Sequence, residues 1–142
     1  MLSQIEKLQP FAAGNIKHIL FDFDGCISTE RSGWPNIMVA CNSAALQQAS
    51  KLWSAASCVE WVCKDIEATI GIPTYKQMER LADMIVTMGG EALTPTQYKA
   101  IYNHALVAMV ETKRRRYPKM IDRDALLVKG FVHFILNLTE DC

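Results

Sequence analysis

Two aspartates, Asp22 and Asp24, stand two residues apart directly after an apolar stretch, and Gly25 follows them. Neighbouring carboxylates repel each other unless a cation or a shared proton relieves the repulsion, and Mg²⁺ is the cation that oxygen ligands beside a phosphate favour. A carboxylate can attack phosphorus to form an acyl phosphate, and a second carboxylate can protonate the leaving oxygen and then deprotonate water. The pair therefore indicates phosphate chemistry. The plainer alternative is a turn in which Asp-x-Asp-Gly only shapes the backbone.

The element that must position this pair is the apolar stretch from Ile16 to Phe23. It is short, rich in branched and aromatic residues and closed by an Asp-Gly turn, which is typical of a buried parallel strand. Ligands bind at the carboxyl ends of such strands, where Asp22 would lie. Gly25 allows a tight turn that presents backbone amides to phosphoryl oxygens. The sequence predicts no second strand, although a buried strand needs neighbours for its backbone groups.

From Gly33 onwards the sequence predicts helices. Apolar residues recur at helical spacing over 36–50 and again over 53–70, and the second of these helices is expected to stop at Gly71. A last helix is predicted to follow Asp122, with apolar residues along one side.

Two capping boxes predict the starts of two further helices. In the first box, Thr74 is the expected N-cap and Gln77 the residue at N3. In the second, Thr94 and Gln97 take the same places, with proline at the first helical position.

The strand followed by Asp22, Phe23, Asp24 and Gly25 resembles motif I of the haloacid dehalogenase (HAD) superfamily. The resemblance implies that Asp22 is the nucleophile and a ligand of Mg²⁺. It implies that Asp24 is the general acid and base and also touches the metal. Phe23 and Gly25 become candidate substrate-binding residues. The usual threonine after the glycine is Cys26 here, which loses a hydroxyl but keeps the backbone role.

The resemblance also implies a fold and its parts. The expected class is α/β, HAD-like and truncated, with the first core strand, a mostly α-helical C1-type cap and the rest of the parallel sheet missing. Residues 1–29 would form the strand and catalytic loop, 30–120 the cap, and 121–142 a helix returning to the core. The stretches 28–34 and 71–78 look like phosphoglycolate-phosphatase-like members of the superfamily.

The expected activity is Mg²⁺-dependent hydrolysis of a phosphate monoester, possibly phosphoglycolate-like, through an aspartyl-phosphate intermediate. Three further family motifs, which supply a Ser or Thr, a Lys and more Asp residues, cannot be assigned before Cys142. Weak or no catalysis by this polypeptide alone is therefore expected. The alternative is an inactive truncated HAD fragment that acts, if at all, as a helical interaction module.

Three other features have two interpretations each. Arg31 follows the aspartates closely and could hold a substrate carboxylate or phosphate as a bidentate fork, or form a surface salt bridge. The basic run from Lys113 to Arg116 could meet an anion, but a solvated helix end that complements the helix dipole is favoured. Trp34 is expected in the core or at the cap hinge, with lining of the substrate pocket as the alternative.

The composition narrows the choice of partners. Fifteen basic and fifteen acidic residues cancel, so no overall field attracts nucleic acid or an anionic membrane. The expected partner is a small phosphorylated metabolite, together with self-association through exposed apolar surface. Five cysteines without a paired zinc spacing, and the absence of an evident signal peptide, predict reduced thiols and a cytoplasmic location.

Overall fold

The computed structural model describes residues 18–50, 52–117 and 124–140. For residues 139 and 140 it describes the backbone only. Five α-helices follow one another: α1 Trp34–Ala49, α2 Ala55–Ala68, α3 Thr74–Thr87, α4 Pro95–Arg116 and α5 Phe131–Glu140. Helix α1 packs on α2, α3 and α4, and α3 packs on α4, so the first four helices share one core. Within the described residues, no helix has the length and apolar character needed to cross a bilayer.

The core of this four-helix unit comes from the apolar positions that recur at helical spacing. The side chains that are at most 1% exposed are Met38, Leu46, Cys58, Val62, Met78, Leu81 and Ile85. Each recurs three, four, seven or eight positions from another on its own helix, which places it on the inward face. The helical pattern of the sequence is therefore sufficient to explain which side chains are buried.

The second predicted capping box is confirmed at the start of α4. The Thr94 hydroxyl accepts a hydrogen bond from the Gln97 N–H at 3.3 Å, and Gln97 Oε1 accepts one from the Thr94 N–H at 2.9 Å. Pro95 fills the first helical position, where its missing N–H costs no hydrogen bond.

The first predicted capping box is wrong. Helix α3 begins at Thr74 itself, Pro73 occupies the N-cap position, and no side chain caps the helix. Gln77 is only 4% exposed and donates instead to the hydroxyl of Thr69 at 3.0 Å. Gln77 faces inward because it sits one position before the buried Met78, and this direction removes it from the helix end.

The predicted α/β fold is wrong for the part of the chain that the structure describes, which is an all-α fold. Residues 18–23 do not form a strand, and Leu20 is 99% exposed. Over residues 18–50, 52–117 and 124–140, the only β-type pairings are two isolated bridges, Asp24 with Ser28 and Ser28 with Leu127. An apolar run becomes a strand only where neighbouring strands satisfy its backbone, and the described residues provide no such neighbour for this one.

Parts of the predicted chain organisation lie outside the described residues. These are residues 1–17, which include the first residues of the predicted strand, together with Asp122 and Cys142. The last described helix begins at Phe131, directly after Gly130, whose φ is +87°.

Candidate functional site

The loop that carries both aspartates is a tight turn built from backbone hydrogen bonds. The Phe23 carbonyl accepts from the N–H groups of Ile27 and Ser28 at 3.0 and 2.9 Å, and the Gly25 N–H donates to the Ser28 carbonyl at 2.8 Å. Gly25 has a φ of +79°, a conformation that side chains other than glycine rarely adopt. The sequence expectation of a glycine-dependent turn is therefore confirmed.

The hydrogen bonds of this turn determine which backbone N–H groups can still bind an anion. The Gly25 N–H is occupied by Ser28, and the Phe23 N–H donates to Asp22 Oδ1 at 2.8 Å. Within the described residues, the N–H groups of Asp24 and Cys26 donate to nothing. The amides that remain available to a phosphoryl oxygen are therefore those of Asp24 and Cys26.

A short antiparallel pairing joins this loop to the residues before α5. The Thr29 N–H donates to the Leu126 carbonyl at 2.8 Å, and the Val128 N–H donates to the Ile27 carbonyl at 2.9 Å. We call this pairing the neck. Because the neck joins the two ends of the segment that contains α1 to α4, it holds the aspartate loop at one end of the helical unit.

Arg31 forms an ion pair with one of the two aspartates. Its Nη1 donates to Asp24 Oδ2 at 2.9 Å, and the two side chains are 56% and 45% exposed. An ion pair as exposed as this one contributes little to stability, because water screens it. The salt-bridge interpretation of Arg31 is therefore confirmed, and its partner is a predicted catalytic residue.

A cavity of about 230 Å³ opens beside this ion pair. Asp24 and Arg31 line it from the loop, and Trp34 lines it from the first turn of α1. Its remaining wall comes from the start of α3 and the middle of α4, through Gly71, Ile72, Thr74, Gln77, Tyr102 and Leu106. Trp34 also packs against the core, which confirms the first interpretation of this residue, whereas its role in a substrate pocket stays a prediction.

The basic run lies in the last turn of α4, as predicted, and its first two residues also contact the aspartate loop. Lys113 Nζ donates to the carbonyls of Glu30 and Ser32 at 2.9 and 2.6 Å. Arg114 holds the Glu30 carboxylate through two hydrogen bonds of 2.5 and 3.1 Å. The end of α4 therefore fixes the loop that presents Arg31.

The contact with Arg114 changes the pKa of the Glu30 carboxyl. The hydrogen bond from Arg114 lowers the pKa of Glu30 below its ordinary value of 4.5, and the charges of Arg114, Lys113 and Arg31 act in the same direction. The ion pair therefore joins the aspartate loop to α4 most strongly when Glu30 is ionised.

The predicted site residues lie on one exposed loop. Asp22, Phe23, Asp24 and Gly25 are all exposed, and Phe23 retains 57% of its accessible surface. The described residues contain no cluster of three or more His, Cys, Asp or Glu side chains that could hold a metal. Two carboxylates are nevertheless a donor set that suits Mg²⁺, because this ion keeps several waters and takes further oxygens from a phosphate.

No family model, curated protein or solved structure matches this chain. The HAD resemblance therefore rests on the sequence alone, on motif I and on the stretches 28–34 and 71–78.

The sequence interpretation missed several residues that surround the aspartates. Tyr102 and Gln77 line the cavity, yet their sequence pattern indicated only a helix face and a cap. Lys113 and Glu30 meet across more than eighty positions of the chain, a separation at which no local pattern operates. The charge run at 113–116 was the one sequence feature that could have indicated a contact with an acidic residue such as Glu30.

Proposed function

We propose that this protein hydrolyses a small phosphate monoester through an aspartyl-phosphate intermediate on Asp22. The observation that carries the proposal is that Asp24, two residues after Asp22, pairs with Arg31 in the lining of a cavity of about 230 Å³. The free amides of Asp24 and Cys26 support it, because backbone N–H groups on a tight turn bind phosphoryl oxygens. The resemblance to motif I of the HAD superfamily suggests the same chemistry.

The reaction divides into two displacements. In the first, a carboxylate oxygen of Asp22 bonds to phosphorus, the phosphorus–oxygen ester bond breaks, and Asp24 gives its proton to the departing alcohol. In the second, Asp24 takes a proton from water, the water oxygen bonds to phosphorus, and the bond to Asp22 breaks. Inorganic phosphate leaves, and both carboxyl groups return to their starting states.

We also propose Mg²⁺ as the cofactor, held by Asp22 and Asp24. The ion, when bound, neutralises the phosphoryl charge that would otherwise repel the Asp22 carboxylate. Arg31 pairs with Asp24 and lines the same cavity, so it can neutralise this carboxylate while it is ionised.

The test is a phosphatase assay with Mg²⁺ on an aryl phosphate. We expect a slow wild-type rate that Asp22→Asn and metal chelation reduce to background. Asp24→Asn should reduce the rate by about 10²–10⁴-fold for substrates whose leaving alcohol needs a proton. Asp83→Asn is the matched control, since Asp83 is exposed on α3 away from the loop, and it should leave the rate unchanged. Equal background rates in wild type and Asp22→Asn would contradict the proposal.

A second candidate function is an interaction module, and the exposed apolar side chains favour it. On the aspartate-loop side, Ile19, Leu20 and Phe23 are 50%, 99% and 57% exposed. On α5, Val132, Phe134 and Leu136 are 37–55% exposed. Phe21 joins the two sides through edge contacts with Phe131 and Phe134. An exposed apolar surface of this kind is typical of an association site.

Light scattering tests the second candidate. We expect wild type to self-associate with rising concentration and Leu20→Asn to do so less. The matched control is Leu52→Asn, because Leu52 is 92% exposed but far along the chain from this surface. A wild-type protein that stays monomeric at high concentration would contradict association through this surface.

We propose a cytoplasmic location. The described cysteines Cys26, Cys41, Cys58 and Cys63 are all free thiols, a state that a reducing compartment maintains. Detection of the intact protein in a cytosolic fraction, with these thiols open to alkylation without prior reduction, would test the location.

A further inference from the structure

The cavity beside Asp24 contains polar groups to which the phosphate chemistry gives no role. Thr74 and Gln77 contribute from the start of α3, and Tyr102 contributes from α4. Gln77 and Tyr102 are buried, at 4% and 5% exposure. These three residues are far from the aspartate loop in sequence, yet the fold places them around the same cavity as Asp24.

The hydrogen-bonding capacity of these side chains is only partly used. Gln77 Nε2 donates to Thr69, but in the described part of the chain Gln77 Oε1 accepts nothing. The hydroxyls of Tyr102 and Thr74 likewise have no hydrogen-bond partner among the described residues. A polar atom in a largely buried side chain costs free energy if it has no partner, so the oxygens of Gln77 and Tyr102 favour a ligand or a water, and the partly exposed Thr74 hydroxyl can bond to the same molecule.

The same groups retain a small contact with water. Among the described residues, no fully enclosed side-chain nitrogen or oxygen lacks a partner. The unpaired oxygens of Gln77 and Tyr102 must therefore keep some accessible surface, and the cavity that both residues line provides it. A ligand that enters the cavity can replace the water there and hydrogen-bond to these oxygens.

The size and charge of the cavity limit what can enter. A volume of about 230 Å³ equals that of roughly seven or eight water molecules, which suits a fragment of a few carbons. Arg31 is the one cation in its described lining, and Asp24 already pairs with it. The remaining polar groups are neutral, and neutral donors and acceptors suit hydroxyls better than a carboxylate.

We infer that this cavity binds the alcohol part of a short polyol phosphate, with the hydroxyls of the ligand bonded to Thr74, Gln77 and Tyr102. The inference rests on the proposed function, since it places the phosphoryl group at Asp22 and Asp24. Trp34 provides an aromatic wall for the carbon–hydrogen face of the polyol. The substrate class is therefore a polyol phosphate and not the phosphoglycolate-like ester that the sequence suggested.

Calorimetric titration with Mg²⁺ present tests this inference without requiring turnover. The probes are glycerol phosphate, methyl phosphate, which lacks the extra hydroxyls, and phosphoglycolate, which carries a carboxylate. We expect wild type to bind glycerol phosphate about tenfold more tightly than methyl phosphate, since each added hydrogen bond contributes up to about that factor.

Tyr102→Phe is the deciding variant, because it removes only an unpaired hydroxyl and preserves the ring. It should reduce the preference for glycerol phosphate several-fold and leave the affinity for methyl phosphate unchanged. Tyr98→Phe is the matched control: Tyr98 is a buried tyrosine on the same helix, but its hydroxyl accepts from the Leu93 N–H and it lines a different cavity. Thr74→Val is a second variant with the same expected direction.

Equal binding of glycerol phosphate and methyl phosphate, tighter binding of phosphoglycolate, or equal effects of Tyr102→Phe and Tyr98→Phe would overturn the inference. The two proposals can fail separately. Hydrolysis that depends on Asp22 but shows no polyol preference contradicts only the inference. A polyol preference that depends on Tyr102, in a protein whose phosphatase rate does not depend on Asp22, contradicts only the proposed function.

Discussion

The unit of α1 to α4 and the aspartate segment at residues 18–32 are both rich in apolar residues, yet they fold differently. In the helical unit, large side chains such as Leu46 and Met78 are fully buried. In the aspartate segment, Leu20 is 99% exposed and Phe23 is 57% exposed. An amphipathic helix satisfies its own backbone and needs only one packed face, whereas an extended segment needs partners on its edges and its faces.

This difference has a consequence for the site. The helical unit contributes the rigid wall of the cavity, while the aspartates lie on a segment held by the neck and by polar contacts from Lys113 and Arg114. The chemistry therefore depends on how firmly a weakly packed loop is held against a well-packed helical unit.

The largest expected effect compares two leucines, one from each region. Leu81→Ala removes a side chain that is 1% exposed in the core, and we expect it to lower the free energy of unfolding by about 2–5 kcal/mol. Leu20→Ala removes a side chain that is 99% exposed, and its effect should stay within about 0.5 kcal/mol. Urea denaturation at low protein concentration measures both. Similar losses in the two variants would show that the aspartate segment is buried in solution.

A smaller effect compares the two predicted helix caps. Thr94→Ala removes a side chain that caps α4, so we expect a loss of about 1 kcal/mol in unfolding free energy. Thr74→Ala removes a hydroxyl that caps nothing, so we expect a change of less than about 0.5 kcal/mol. Thermal unfolding followed by circular dichroism compares them, and a larger loss for Thr74→Ala would mean that α3 begins differently.

The smallest expected effect concerns the contact between the aspartate loop and α4. Because Arg114 lowers the pKa of Glu30, the ionised carboxyl stabilises the fold at every pH above its ordinary pKa of 4.5. This contribution disappears as the pH falls through the lowered pKa. Glu30→Gln should therefore melt slightly below wild type at pH 7, and the difference should vanish in acid.

Melting curves of both proteins between neutral and acidic pH measure this effect. Glu67→Gln, an exposed acid on α2, is the control and should show no pH-dependent difference. A difference between wild type and Glu30→Gln that grows in acid would contradict the contact.

The sequence predicted the parts of the fold that local interactions decide. Periodicity placed the helices, and the capping box at Thr94 lies where it was expected, because both depend on residues within one helical turn. The absence of a strand at residues 18–23 was not predictable from the composition of this segment, since whether an apolar run pairs depends on segments elsewhere. The cap at Thr74 failed for a related reason: burial against the core turned Gln77 away from the helix end.

The same distinction between local and long-range interactions applies to the candidate site. The turn at Gly25 follows from a short stretch of chain, and the sequence indicated it, whereas it indicated a salt bridge of Arg31 as one alternative without naming Asp24 as the partner. The cavity wall at Tyr102 and the contacts of Lys113 depend on how four helices pack. Their roles therefore emerged only from the tertiary structure.

The central claim is that Asp22 becomes phosphorylated, and chemical trapping tests it most directly. An aryl phosphate whose phenol leaves without protonation is supplied with Mg²⁺ to Asp24→Asn, in which the water step is slowed and the intermediate accumulates. Borohydride then reduces an aspartyl phosphate to homoserine, which peptide mass spectrometry can locate. We predict homoserine at position 22 and none when Asp22→Asn is added to the same variant. An unmodified peptide, or homoserine at another aspartate, would contradict the account.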